Sequence, residues 1–268
     1  MAGRDAAGGI RGFVAAALLA AAALAPAAHA GPRVDYKQVF STPVPGASAG
    51  TDTQLLYKNP SDPNAKPIPV RREIFTFPEG TVFDGAAVPD CTAPDLELQL
   101  MGDAACPPES RVIVSDGDTS MAGFPGGGEQ ALTVNGYDGG PDGSDSARVI
   151  GTPTDLPIIH GVAHIRNNGR VVTVEIPVSP GGPPDGQSAL RKIHNISPPR
   201  ELGGHAYIRT PPTCPASGLW HFEAQFVFDD GVSEHDAYDM SCRRPAPRAH
   251  ARSHRKKKHH KRARAQRR

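Results

Sequence analysis

The sequence predicts an all-β domain, an antiparallel β-sandwich of immunoglobulin-like or similar type, from about residue 33 to residue 242. Three observations point there. Asp-Gly recurs at 84–85, 116–117, 138–139, 142–143, 185–186 and 230–231. The pair favours turns because Gly accepts positive φ and Asp bonds its own backbone. Between the turns lie short runs that alternate or are rich in β-branched residues: RREIFTF, RVIVS, QALTVNGY, IIHGVAHI, RVVTVEIPV, ALRKIHNI, HAYIRT and WHFEAQFVF. Long amphipathic helical periodicity is absent, and 29 Gly with 28 Pro punctuate the chain without reaching the proportion that argues disorder throughout.

Residues 1–30 read as a secretory signal. Arg4 and Arg11 lie in a polar n-region, Phe13 to Ala25 form the apolar run FVAAALLAAAALA, and Ala28-His29-Ala30 has the small-x-small pattern of a cleavage site. The run falls short of the ~20 apolar residues that span a bilayer, and no later stretch approaches that length, so no transmembrane segment is expected after cleavage. The expected destination is extracellular or cell-wall associated.

Gly46-Ala47-Ser48-Ala49-Gly50 matches the G-x-S-x-G nucleophile elbow. That elbow needs a buried strand before the Ser and a helix after it. Here STPVP precedes and the strand-like TDTQLLYK follows, so a small-residue loop is the stronger reading.

Export makes four cysteines read as disulfides. Three pairings are possible, and the local one, Cys91–Cys106 with Cys214–Cys242, keeps each bridge within one stretch of chain. No C-x-x-C occurs and no His lies at ligand spacing from a Cys, which disfavours zinc. Between the first two cysteines, Thr92-Ala93-Pro94-Asp95 looks like an N-cap with Pro in the first turn and an acid at N3, and Gly102 could close the helix. Leu96, Leu98 and Leu100 also alternate as a strand would; the cap and the stop favour helix.

Two hairpins can be registered from side-chain faces. A two-residue turn at Asn168-Gly169 would pair Ile165 with Val172, Ala163 with Val174 and Ile159 with Val178, and set His164 against Thr173. A three-residue loop Asp229-Asp230-Gly231 would pair Phe228 with Val232, Phe222 with Tyr238 and Trp220 with Met240, keeping the aromatic residues together. Trp220, the single tryptophan, then reads as a core anchor rather than a sugar-stacking platform.

Other motifs read blandly. His160 and His164 are four apart, which on a strand separates them by ~13 Å, too far to share an ion; they read as solvent-facing. Asp138, Asp142 and Asp145 miss the spacing of a calcium loop. GFPGGGEQ lacks the G-K-[ST] of a phosphate cradle, and Asn195-Ile196-Ser197 is a formal glycosylation sequon followed by Pro. No cofactor, metal or catalytic residue is predicted.

The stretch KNPSDPNAKPIPVRREIFTFPEGTVFD, the C-x14-C ending in ACPPES, then TPPTCPASGLW and the final FDDG hairpin closing on Cys242 together resemble a group of secreted proteins from high-GC actinobacteria with no known activity. The resemblance spans nearly the whole mature body. It implies a secreted, disulfide-bonded, mostly β domain and adds no catalytic residue.

Charge divides the chain. From Arg243 to the end there are 13 Lys plus Arg and no acid, whereas Gly31 to Cys242 hold 14 basic and 27 acidic residues, a balance of −13. The tail 243–268 carries no aromatic residue and no aliphatic one larger than Ala, so it is expected to be disordered. Arg255, Lys256, Lys257, Lys258, Lys261, Arg262, Arg264, Arg267 and Arg268 are its candidate contacts to an anionic cell-wall polymer or membrane surface. Nucleic acid ranks lower, because no aromatic residue interleaves to stack on bases. Two functions follow as expectations. One is a non-enzymatic envelope protein held by its tail. The other is a secreted hydrolase or binding module for wall or extracellular polysaccharide, whose acid–base carboxylates need be close only in space.

Overall fold

A computed structural model describes residues 32–115, 119–123, 128–139, 147–154, 160–183 and 185–243. The expected signal segment, Asp142 and Asp145, and the tail from residue 244 onward lie outside the described residues. In chain order the elements are β1 (Val34–Phe40), β2 (Thr51–Tyr57), β3 (Val70–Thr76), β4 (Val82–Phe83), α1 (Asp95–Met101), β5 (Arg111–Ser115), β6 (Ser120–Ala122), β7 (Glu129–Asp138), β8 (Ala147–Pro153), β9 (Gly161–Asn168), β10 (Val171–Glu175), β11 (Ala189–Ser197), β12 (Glu201–Leu202), β13 (His205–Ala206), β14 (Ile208–Arg209), β15 (Leu219–Phe228) and β16 (Ser233–Ser241). The all-β antiparallel reading holds.

Twelve strands form one antiparallel sheet in the order β1-β2-β11-β5-β7-β8-β9-β10-β3-β15-β16, with β6 pairing β11 and β7. Two short ladders, β12 with β13 and β4 with β14, stand apart. The large sheet folds over on itself, which makes a two-layered, sandwich-like body from a single sheet. Inward residues of β1 and β2 meet those of β3 and β15: Tyr36 stacks on Phe75 at 6.0 Å and Phe40 meets Trp220 edge-on at 5.4 Å. The two terminal strands touch as well. The Arg33 backbone N–H donates to Glu234 at 2.9 Å and the Phe40 N–H to the Met240 sulfur at 3.2 Å.

Period-two patterning explains the buried layer. In β15, Trp220, Phe222, Ala224, Phe226 and Phe228 are all buried and their neighbours are not. In β1, Val34, Tyr36, Gln38 and Phe40 point inward. Trp220 is buried, and its indole N–H donates to the Thr213 carbonyl at 3.2 Å, so the core-anchor reading holds.

The β15–β16 hairpin has the expected register, with Trp220 opposite Met240, Phe222 opposite Tyr238, and Gly231 at φ 80 in the loop. The β9–β10 hairpin differs. Asn168 pairs with Val171, so the loop is Gly169-Arg170, and Ile165 lies opposite Val174 rather than Val172. His164 faces Glu175, not Thr173. The slip is two residues, which leaves every side chain on its own face; burial pattern therefore cannot distinguish the two registers. Gly169, at φ 66, takes the first central position, the place a type II′ turn reserves for Gly. Ile159 lies outside the described residues.

Both local disulfides are present, Cys91–Cys106 with Cα atoms 5.1 Å apart and Cys214–Cys242 at 5.8 Å. Such bridges mark an oxidising compartment. No described helix is long and apolar enough to cross a membrane. The predicted helix forms, but Thr92 does not cap it. α1 begins at Asp95, Pro94 takes the cap position, and no side chain caps the helix. Gly102, at φ 57, closes it as expected.

Candidate ligand-binding cavity

The folded sheet encloses a cavity of about 710 Å³. Ligand sites usually measure ~300–1,000 Å³, whereas ordinary protein interiors hold few voids larger than a water molecule. The walls are inward positions of successive strands: Met121 of β6, Val134 of β7, Val149 and Gly151 of β8, Ala163 and Ile165 of β9, Val172 and Val174 of β10, and Ile193 of β11. Small side chains create the space. A Cβ placed on Gly151 would meet nothing within 4 Å, and its cross-strand partner is another wall glycine, Gly161. The lining residues Gln99, Val178 and Pro180 are themselves solvent-exposed and so mark the mouth.

The disulfide-stapled segment stands beside that mouth. Leu98 of α1 is fully buried against Tyr137, Ile150 and Val162 on the outer face of β7, β8 and β9. Asp103 accepts hydrogen bonds from the Asn135 amide at 2.7 Å and the Tyr137 hydroxyl at 2.9 Å. Arg148 donates to the carbonyls of Cys91 and Ala93. A Cβ at Gly102 would come within 2.7 Å of the His160 ring, so Gly is needed both for positive φ and for that approach. His160 in turn shares a 2.7 Å hydrogen bond with Thr152. These contacts fix Gln99 and His160, both lining residues, at the entrance.

Among the polar groups that interrupt the apolar wall, two features stand out. Register sets Gln38, Thr53 and Asn195 side by side across β1, β2 and β11, and all three line the cavity. The second is Glu73 of β3, 4% exposed. The Tyr57 hydroxyl donates to its Oε1 at 2.6 Å. Burial pushes the carboxyl up to about 7, against the smaller lowering effect of the Tyr57 hydrogen bond. Tyr57 moves up as well, chiefly through burial and then through the neighbouring carboxyl. Among the described lining residues Glu73 is the only acid, and no Lys or Arg lines the cavity. Glycoside hydrolysis by an acid–base pair requires two carboxyls, and these walls supply one.

The residues singled out from sequence fall elsewhere. Ser48 sits in an isolated bridge to Arg209, followed by β2 and not by a helix, so the nucleophile-elbow context is missing. His160 and His164 are half-buried rather than solvent-facing, and His164 pairs with Asp95 at 3.0 Å. The α1 segment supplies the cover that the strand pattern could not show. Asp138 is buried and bonded to the Tyr207 hydroxyl. The sequon lies inside central strand β11, with Ser197 donating to the Val112 carbonyl at 2.8 Å. No group of His, Cys, Asp and Glu side chains that could hold a metal occurs among the described residues. The nine Lys and Arg positions of the tail lie outside them. Reading the sequence missed Glu73 and the cavity. The available signal was a carboxylate in phase with Phe75 and Phe77 in RREIFTF, masked by the equally apolar Ile74 on the other face.

No protein-family model matches the chain, and no curated protein or solved structure is significantly similar to it.

Proposed function

We propose that this is a secreted, non-enzymatic envelope protein whose β-domain holds a small apolar molecule in the sheet-enclosed cavity, and whose basic tail retains it on anionic wall polymer or membrane surface. The cavity carries the reading: about 710 Å³ walled by aliphatic side chains and two unfilled glycine positions, with a defined mouth. The signal-like residues 1–30 and the two disulfides support export. The tail's 13 uncompensated cations support retention on an anionic surface, since Arg and Lys stay protonated at neutral pH.

Two measurements test it. A neutral naphthyl fluorophore should bind one per chain, and Gly151→Phe, whose new Cβ meets no atom within 4 Å and whose ring projects into the lumen, should abolish that binding. Full binding in the variant would remove the cavity from consideration. Separately, the full mature chain and a version ending at Cys242 are compared on isolated cell envelopes across a salt series. Retention should depend on the tail and fall steeply as salt rises. Equal retention of both versions, or retention indifferent to salt, would remove the tail as the anchor.

A further inference from the structure

Glu73 departs from the chemistry of the wall around it. It stands on β3 with Val174 of β10 on one side and Phe226 of β15 on the other, facing the interior with Phe75. One carboxyl oxygen takes the Tyr57 hydroxyl proton. No hydrogen bond to the second oxygen occurs among the described residues, and the side chain is part of the cavity wall. A buried carboxyl with one lone donor is costly, because low dielectric strengthens every unmet interaction. Two aliphatic or aromatic neighbours in register would accommodate a Leu or Phe at this position with no such cost.

The geometry points to a ligand class: an apolar molecule that ends in a protonated amine, its hydrocarbon body against the aliphatic walls and its N–H donors on the open oxygen of Glu73. The inference rests on the cavity reading above. The lining supports the sign of the head group. Among the described lining residues Glu73 is the only acid and there is no Lys or Arg, so an anionic head would meet like charge there. An ammonium instead makes a charge-assisted hydrogen bond, roughly twice as strong as a neutral one. Burial raises the carboxyl's ionisation to about 7, so a bound cation would draw it into the charged form. Tyr57 remains hydrogen-bonded to the first oxygen throughout.

The test uses three probes of one chain length: decylamine, decanol and decanoate. Each displaces the neutral fluorophore from the full mature chain at pH 8. Calorimetric titration of each probe into Gly151→Phe, which no longer holds the fluorophore, measures adsorption to the acidic surface and to the basic tail. The amine should bind best, about tenfold or more ahead of the carboxylate, the span of one charge-assisted hydrogen bond gained or lost. Glu73→Gln keeps an acceptor for Tyr57 and should bring the amine to within about threefold of the alcohol. Decanoate equal to decylamine, or an unchanged order in Glu73→Gln, overturns the assignment while leaving the cavity reading intact. Fluorophore binding that none of the three probes displaces also overturns it. A fluorophore that fails to bind at all overturns the cavity reading itself.

Discussion

One sheet builds two unlike interiors. Where β1 and β2 face β3 and β15, the space is filled by rings. Phe226 touches Tyr36, Tyr57 and Phe75 at centroid distances of 6.1, 6.0 and 6.2 Å, and Phe40, Phe77, Trp220 and Phe222 continue the packing. Where β6 to β11 curve round, the same inward positions carry Val, Ile, Ala and Gly, and about 710 Å³ stays open. Both halves are antiparallel ladders broken by occasional register shifts. The volume of the inward residues separates a core from a container. The filled half supplies rigidity, and the hollow half is free to hold something else.

That contrast can be broken most directly by cutting the filled half. Phe226→Ala should cost about 3–5 kcal/mol, since the side chain is fully buried and rings surround it. Val149→Ala on the cavity wall should cost only about 1 kcal/mol, because it deletes atoms that already face open space. Denaturant unfolding of both variants gives the comparison, and equal losses would mean the cavity is collapsed in solution. Next in size is the staple that closes the filled half. Cys242→Ser should lower stability by about 2–5 kcal/mol in the same assay, and mass mapping of the unreduced chain should find Cys214 joined to Cys242.

Glu73 stands where the two halves meet and sharpens the comparison through pH. Its folded ionisation, about 7, lies above the ordinary 4.5. The unfolded chain therefore holds fewer protons at this group than the folded one between those values. Its contribution is complete below about pH 4.5. It falls as pH rises towards 7, by about 3 kcal/mol in all, and is flat above that. Glu73→Gln removes the slope. The variant should match its parent near pH 4 and exceed it at pH 8, measured as the difference in unfolding free energy. Parallel curves would show that the carboxyl ionises normally. The smallest effect on stability should come from Gly151→Phe, within about 1 kcal/mol of the parent, because the new ring gains wall contacts while strain stays low.

Much of this architecture is legible in the chain, and the gaps have physical causes. Asp-Gly turns and alternation identify the strands around β15 and β16 together with their register, because aromatic residues mark one face without ambiguity. The β9–β10 register slips by two, since a two-residue shift preserves faces and the choice rests on which position Gly169 occupies. β1 and β8 are easily passed over. Polar Gln38 stands at an inward place in the first, and Gly151 and Pro153 interrupt the second. Those same irregularities are the cavity's lining. The site was hard to read because it is made of departures from core patterning, and because its walls come from strands far apart in sequence that only the folded sheet brings face to face.

The position of the second disulfide has a mechanical consequence. β16 ends the sheet: its ladder runs to β15 alone, and only single hydrogen bonds from Arg33 and Phe40 reach it from the β1 side. The chain leaves the sheet through Cys242, whose N–H bonds the Gly218 carbonyl and whose sulfur is joined to Cys214, ahead of β15. Tension applied beyond Arg243 therefore enters a covalent ring that contains the whole hairpin. While the bond is oxidised the load crosses from Cys242 to Cys214 and on to the chain before β15, so a tug on the tail passes the β15–β16 pairing by.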